Sequence, residues 1–482
     1  MTECSCEELR ITNSEKNNSL EENNLQERDG DDGFHWMLYF SAFTANILLF
    51  NVGVNLVWFS PMLSKLSSND TNINPLGRPI QTSDISILVT VGPIFGIIGL
   101  LPAARLADLI GRKRVLLLVA FLFAGTSLMT AFAYNVYFYY ANSVLVGLCM
   151  SASLVIVPVY MNEIAEDRNR GKLGGLMGLA MPTGTLLGYV VGPMTSARTF
   201  PLFCMAPSII HLILSIFTVE SPTYLALKHK QPDCARVLGK LRNTTNAKKI
   251  EIECNKIEFF IATSIRRQRR SYLDIFRQQT ARRAFSMCMV ASSVQQLSGI
   301  FVILAFMSSI FSKSGRVSGD TFGIITGVIQ LCTVFGSSVL VDKVGRRPLL
   351  LISSLVCSLA LFVMGYYINL QNSDDMVWLA ILGIVLYVIG YGIGLGPIPM
   401  TLSGELFPND LRAMGCGIVL VADNSAICFI MFCFPFASEN FGVQYCMWFF
   451  SLACLIGFVC IYLVVPETKG KSFNEIQAIL NR

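Results

Sequence analysis

Two clusters of opposite charge occur twice in this chain. Asp108-Leu-Ile-Gly111-Arg112-Lys113 and Asp342-Lys-Val-Gly345-Arg346-Arg347 share the pattern D-x-x-G-R-[KR]. Glu163 stands seven residues before Arg170, and Glu405 stands seven before Arg412. The members of the first pair lie 234 residues apart and those of the second 242, so one offset nearly serves both. A carboxylate and a guanidinium at neighbouring helix ends can form a charge-assisted, often bidentate pair. Such a pair latches two elements and releases them when they move apart. Asp108, Arg112, Glu163, Arg170, Asp342, Arg346, Glu405 and Arg412 are the candidate latch residues. The plainer reading is that basic clusters anchor helices to lipid headgroups, which suits Lys113 and Arg114. A second kind of chemistry is carried by side-chain amides. Gln295 and Gln296 are adjacent, and Gln330 and Asn424 also fall in apolar stretches. Each amide offers both donors and an acceptor, the combination that a polyhydroxylated ligand needs. No nucleophile–base pair, no Cys/His group with metal-ligand spacing and no phosphate-binding glycine loop is visible, so neither an enzyme, a metal site nor a cofactor is expected.

The elements that must position these residues are apolar. Of 482 residues, 53% are hydrophobic and 14% charged, and mean hydropathy is +0.55. A soluble protein carries about 25% charged residues. That deficit excludes an ordinary cytosolic enzyme, a disordered protein and a nucleic-acid-binding domain. Charge-free stretches run 35–64, 85–104, 115–162, 173–197, 199–219, 284–312, 321–341, 348–373, 376–404 and 440–466, and 413–438 is broken only by Asp423. A membrane span takes roughly 20 apolar residues. The stretch 115–162 holds two, with a turn near Asn135, which makes twelve. The expected protein is an all-α membrane protein with twelve transmembrane helices in two six-helix halves, 35–219 and 284–466. A charged linker, 220–283, joins the halves and is expected to form short amphipathic helices bracing both. Residues 1–34 read as a disordered acidic tail, and 467–482 as a C-terminal tail.

Charge asymmetry orients the spans. Of 37 Lys and Arg, 15 fall in 220–283 against 6 acids, and the short loops on that side lead the opposite loops by 11 to 5. Positive residues face the cytoplasm, so both termini and the linker are expected there, with the bilayer of the cell membrane as environment. Asn69-Asp70-Thr71 is a glycosylation sequon in the first outside loop. Fifteen Cys, mostly in spans or facing the cytoplasm, are expected to stay free thiols.

GRKR after span 2, PVYMNEIAEDRNRG after span 4, VESPTYLA after span 6, QQLSG in span 7, GRRPLL after span 8, GLGPIPM with GELFP around span 10 and PETKGKSFNEI after span 12 follow one another in order. This series resembles the sugar porters of the major facilitator superfamily, over nearly all of the chain after residue 35, and is most similar to their insect trehalose-transporter-like branch. The resemblance implies a facilitative sugar transporter for a hexose or trehalose-like substrate. It would work by alternating access around a site at mid-membrane between the halves, as a monomer. It assigns substrate contacts to Gln295, Gln296, Gln330 and Asn424. It also marks departures. Phe301 stands where the family has Asn, Ala305 and Phe306 where tyrosines follow, and Met400 and Ser425 where tryptophans stand. Gly178 replaces a common Gln and Thr223 an Arg. Phe301 and Met400 make the pocket greasier and softer, which points to a substrate other than glucose.

Residues 34–64 contain no Asp or Glu, where proton-coupled relatives carry an acid. Uniport is therefore expected. Asp423 pulls the other way, since a carboxylate within a span is costly and usually functional. It opens the alternative of a proton- or cation-linked carrier of a non-sugar solute, with His211 as a candidate partner in the other half; a sugar sensor without transport is the further alternative. Gly390, Gly392, Gly394, Gly396, Pro397 and Pro399 crowd span 10, where a helix loosened by Gly and Pro can bend as a gate.

Overall fold

The structure is a computed structural model. It describes residues 35–166, 168–267, 274–311, 318–370, 376–408, 411–471, 475, 477, 478 and 480, excluding the side chains of 101, 263–267, 338, 339, 342 and 413. The tail 1–34 therefore lies outside the described residues, as does the side chain of Asp342.

Eleven described helices are long and apolar enough to cross a bilayer. A twelfth apolar helix, Thr199–Ser215, has 17 residues, at the short limit for a span. Asn135, extended at φ −139° and ψ 150°, separates Arg112–Ala131 from Val136–Ile164, so 115–162 does hold two spans.

Spans 1 and 7, the first of each half, break at matching places. Span 1 is Trp36–Leu56 followed by Phe59–Leu66. Span 7 is Gln279–Leu297 followed by Ile300–Ile310. The hinge of span 7 is Gly299 at φ 78°, a left-handed conformation that glycine adopts without strain. Span 10 changes character midway. Val377–Gly390 is α-helical, Tyr391–Leu395 forms a π turn, and Ile398–Leu406 resumes after Pro397. Ser353 Oγ donates to Gly390 O at 2.6 Å and accepts from Leu395 N at 2.9 Å, so span 9 satisfies backbone groups that the π turn frees.

Within the N-terminal half, small residues set the packing. A Cβ at Gly53 of span 1 would meet Met181 O of span 5 at 2.0 Å, and one at Gly184 of span 5 would meet Phe50 O at 2.0 Å. Lipid supplies no hydrophobic drive between helices, so such backbone approaches carry the association.

The linker forms helices Pro222–Leu227, Gln231–Arg242, Ala247–Arg267 and Asp274–Arg277. Its buried Arg242 pairs with Glu253 at 2.5 Å and Glu166 at 2.8 Å, and donates to Ile164 O at the end of span 4. The middle of the linker is thereby fastened to the N-terminal half. The described cysteines are all free. Cys234 and Cys254 of the linker lie with sulfurs 3.9 Å apart. Burial pushes the Cys234 thiol up to about 12. At neutral pH it stays protonated and so non-nucleophilic. Maleimide labelling of the native protein at about pH 7 is therefore expected to spare Cys234 until denaturant is added; labelling as fast as that of a free thiol would contradict this burial.

At the face opposite the charged motifs, the halves are bonded to each other. Ser60 Oγ of span 1 and Ser308 Oγ of span 7 are 2.9 Å apart, and Ser308 N donates to Ser60 Oγ at 3.1 Å. Ser308 Oγ donates to Asp320 of span 8 at 2.7 Å. Tyr189 of span 5, fully buried, donates to Leu304 O of span 7 at 2.7 Å.

Candidate functional site

The charged motifs build the same small machine twice. In the N-terminal half, Gly111 takes φ 107°, which turns the chain sharply from span 2 into span 3. Arg112 then begins span 3 and points inward, only 6% exposed. Its Nε and Nη2 donate to Glu163 of span 4, both at 2.9 Å, and Nη2 also meets Asp108 at 2.9 Å. Glu163 also accepts from the hydroxyl of Ser221. Glu220 accepts from Lys113 N at 3.0 Å and Ser221 N at 2.9 Å, capping the start of span 3. A carboxylate there also complements the helix dipole.

In the C-terminal half, Gly345 takes φ 110° and Arg346 begins span 9. Arg346 reaches Glu405 of span 10 at 3.1 Å. Glu405 accepts from Thr468 Oγ1 at 2.6 Å. Glu467 accepts from Arg346 N and Arg347 N, both at 3.1 Å. Glu220-Ser221 and Glu467-Thr468 thus play one role in the two halves. Sequence reasoning missed that pair, although the signal was available: E-[ST] recurs 247 residues apart, close to the offset of the other motifs. The bonds made by Arg112 and Arg346 to Glu163 and Glu405 lie within a half, where the sequence reading expected latches that close and release one side. Arg170 and Arg412 begin spans 5 and 11.

The amides separate. Gln295 Nε2 donates to Tyr391 Oη at 3.2 Å and to Gly396 O at 3.0 Å, fastening span 7 across the π turn of span 10. Tyr391 was not singled out from sequence; nothing in its spacing marks it. Gln296 is 6% exposed and its Oε1 has no partner. Asp423 of span 11 faces Gln296 and Ser292 of span 7. Gln330 Oε1 in span 8 is also buried without a partner. Asn424 Nδ2 turns back to Leu420 O at 2.9 Å, on its own helix. Phe301 is half-buried in the core, whereas Met400 is 70% exposed. His211 lies in the other half from Asp423, with Nδ1 2.8 Å from Thr44 O of span 1. Asn69 is exposed in the loop after span 1.

Two helical halves joined by a helical linker, bonded at one face and carrying repeated ion-pair clusters at the other, define a membrane transporter of the major facilitator fold. The inward-open xylose transporter XylE of E. coli superposes with a TM-score of 0.77 over 92% of this chain and 99% of that one, at 22% identity. The chain belongs to the sugar (and other) transporter family, which matches residues 19–480. It is 28% identical over 469 residues to the facilitated trehalose transporter Tret1 of Bombyx mori, across 94% of this chain and 90% of that protein. It is 27% identical over 411 residues to the probable metabolite transport protein CsbC of Bacillus subtilis, across 84% and 88%. The twelve-span, all-helical reading and the sugar-porter resemblance agree with these findings.

Proposed function

We propose that this chain carries a sugar across the cell membrane down its gradient, as a monomer alternating access between the two sides. Both termini and the charged motifs then lie in the cytoplasm. The hydrogen-bonded seal at Ser60, Ser308 and Tyr189 closes the outside, and the state described above faces inward.

The observation that carries the passive reading is span 1. Trp36–Leu66 contains no Asp, Glu or His. Its asparagine amides donate within the N-terminal half: Asn46 to Ala42 O at 2.9 Å, Asn51 to Ser208 Oγ at 2.6 Å and Asn55 to Asn51 O at 2.9 Å. A proton carrier of the kind seen in coupled transport needs a carboxylate or an imidazole in that span, and the span offers neither. The sugar is a hexose or, as the name of the Bombyx relative suggests, trehalose. The amides of Gln295, Gln296 and Gln330 supply its hydrogen bonds. Gln295 exchanges its bond to Gly396 O for a substrate hydroxyl, which would couple loading of the site to the π turn of span 10.

Labelled glucose and trehalose offered to oocytes expressing the chain test this. Saturable uptake of one of them is expected, equal at about pH 5.5 and about pH 7.5, and reduced about tenfold or more in Gln295→Ala, the loss of one or two hydrogen bonds to substrate. Uptake that rises with acidity would overturn the passive reading. Absence of uptake with the protein at the surface would overturn the sugar.

A further inference from the structure

Asp423 is the one acid placed away from the ends of any span. It sits in Arg412–Asn440, more than two turns beyond its start. Two side chains of span 7, one turn apart, face its carboxyl: Ser292, 1% exposed, and Gln296, 6% exposed. The Ser292 hydroxyl and the Gln296 amide turn towards the Asp423 carboxyl, and Gln296 Oε1 is left without a hydrogen-bond partner. Cys288 of span 7 and Tyr391 of span 10 lie nearby. No ion pair to Asp423 occurs among the described residues. In spans 7, 8, 10, 11 and 12, every Lys and Arg lies within a few residues of a helix end. The sole buried His of the spans, His211, is bonded to Thr44 O in the other half.

Oxygen atoms with free lone pairs therefore converge from two spans, one of them on an acid, and no cation among the described residues meets them. The Ser292 hydroxyl and the Gln296 Nε2 can donate to the carboxylate, but neither brings a positive charge, and Gln296 Oε1 can only accept. A neutral sugar hydroxyl brings one donor and no charge. A protonated amine brings three donors and the missing charge, enough to meet both the Asp423 carboxylate and Gln296 Oε1. Charge-assisted hydrogen bonds of this kind are about twice as strong as neutral ones, and an unpaired carboxylate within a membrane is expensive.

We propose that Asp423, Ser292 and Gln296 form a subsite for an ammonium group on the cargo, so that the preferred substrate is an amino sugar. The inference rests on the sugar reading above and narrows it. An inorganic cation or a proton at the same place are its competitors.

Purified protein in liposomes would be offered glucose, its 2-amino-2-deoxy and 6-amino-6-deoxy derivatives and the N-acetylated 2-amino sugar, at about pH 6, where aliphatic amines are protonated. At least one amino sugar is expected to enter about tenfold or more faster than glucose, and acetylation of the 2-amine to cancel any preference for that derivative. Asp423→Glu should keep the preference and Asp423→Asn should erase it. Equal rates for glucose and both amines in the wild type, or a preference that survives Asp423→Asn, would overturn the ammonium subsite while leaving sugar transport standing. Glucose flux that requires sodium or a proton gradient, and loses that requirement in Asp423→Asn, would overturn it in favour of an ion site. No flux of any of the four would overturn both readings. Should Asp423→Asn fail to fold, the wild-type comparison of the amines with glucose decides alone.

Discussion

Arg112→Ala is expected to lose about 3–5 kcal/mol of stability, the usual result of stranding one member of a buried ion pair. Arg112 is buried, forked onto Glu163 at 2.9 Å through two nitrogens, and tied to Ala107 O at 3.1 Å. Without it, Glu163 keeps the Ser221 hydroxyl as a hydrogen-bond donor. The Glu163 side chain is only 14% exposed, so water compensates little. Three helix ends meet there, and all would loosen together. Arg112→Lys should retain part of the loss, because an ammonium keeps the charge but not the planar fork. The double variant Arg112→Ala/Glu163→Gln should recover some stability, since it removes the orphaned charge. Thermal midpoint in detergent and surface yield measure this. An Arg112→Ala protein that melts with the wild type would show the pair to be ornamental.

Gly184→Val is the second large effect. Its Cβ would sit 2.0 Å from Phe50 O and 3.1 Å from Val54 N, both backbone atoms of span 1. A flexible side chain could swing away from such a contact, but a helix backbone cannot. Spans 1 and 5 must then separate, and the reciprocal contact of Gly53 with Met181 O is lost with them. Overpacking of an ordinary core costs about 1–3 kcal/mol; a backbone collision along a helix seam should exceed that range and abolish the monodisperse folded protein on size exclusion. Gly336→Ala and Gly174→Ala are the controls, because a Cβ at either position meets nothing within 4 Å. They should be neutral or slightly stabilising, as alanine is the better helix former. If Gly184→Val elutes like the controls, the two helices are not packed as described.

The span pattern was legible because burial in lipid writes itself as length. A run without charge, such as 35–64, needs no tertiary knowledge to interpret. The turn at Asn135 was legible for the same reason, since 48 residues cannot be one helix across a bilayer of about 30 Å. The π turn in span 10 was legible only as glycine and proline content, and the break in span 7 was not read at all. Which residue adopts the left-handed conformation depends on the Phe450 ring lying 2.7 Å from the Cβ that Gly299 lacks, and sequence carries no trace of that contact. In the charged clusters, Arg112 and Glu163 announced themselves by repeating at one spacing. Their hydroxyl partners did not, because Ser221 reaches Glu163 across 58 residues of chain and a serine alone signals nothing. The amides show the sharpest limit. Residue type marks Gln295 as a donor, but that its donor is occupied by Tyr391 and Gly396 is a property of one arrangement of the halves.

The π turn at Tyr391–Leu395 has a consequence for angular registry along span 10. Each residue of an α-helix advances by about 100°, and a π turn stores one residue more than the α-helix would. Everything downstream is therefore rotated by one step about the helix axis. Glu405 meets Arg346 at 3.1 Å only with that step included. Straightening Tyr391–Leu395 into α-helix would swing the Glu405 carboxylate by about 100° off its bearing without any change at either end of the ion pair. The middle of span 10 thus acts on its end as a screw thread does, turning axial relaxation at the polar centre into rotation at the rim.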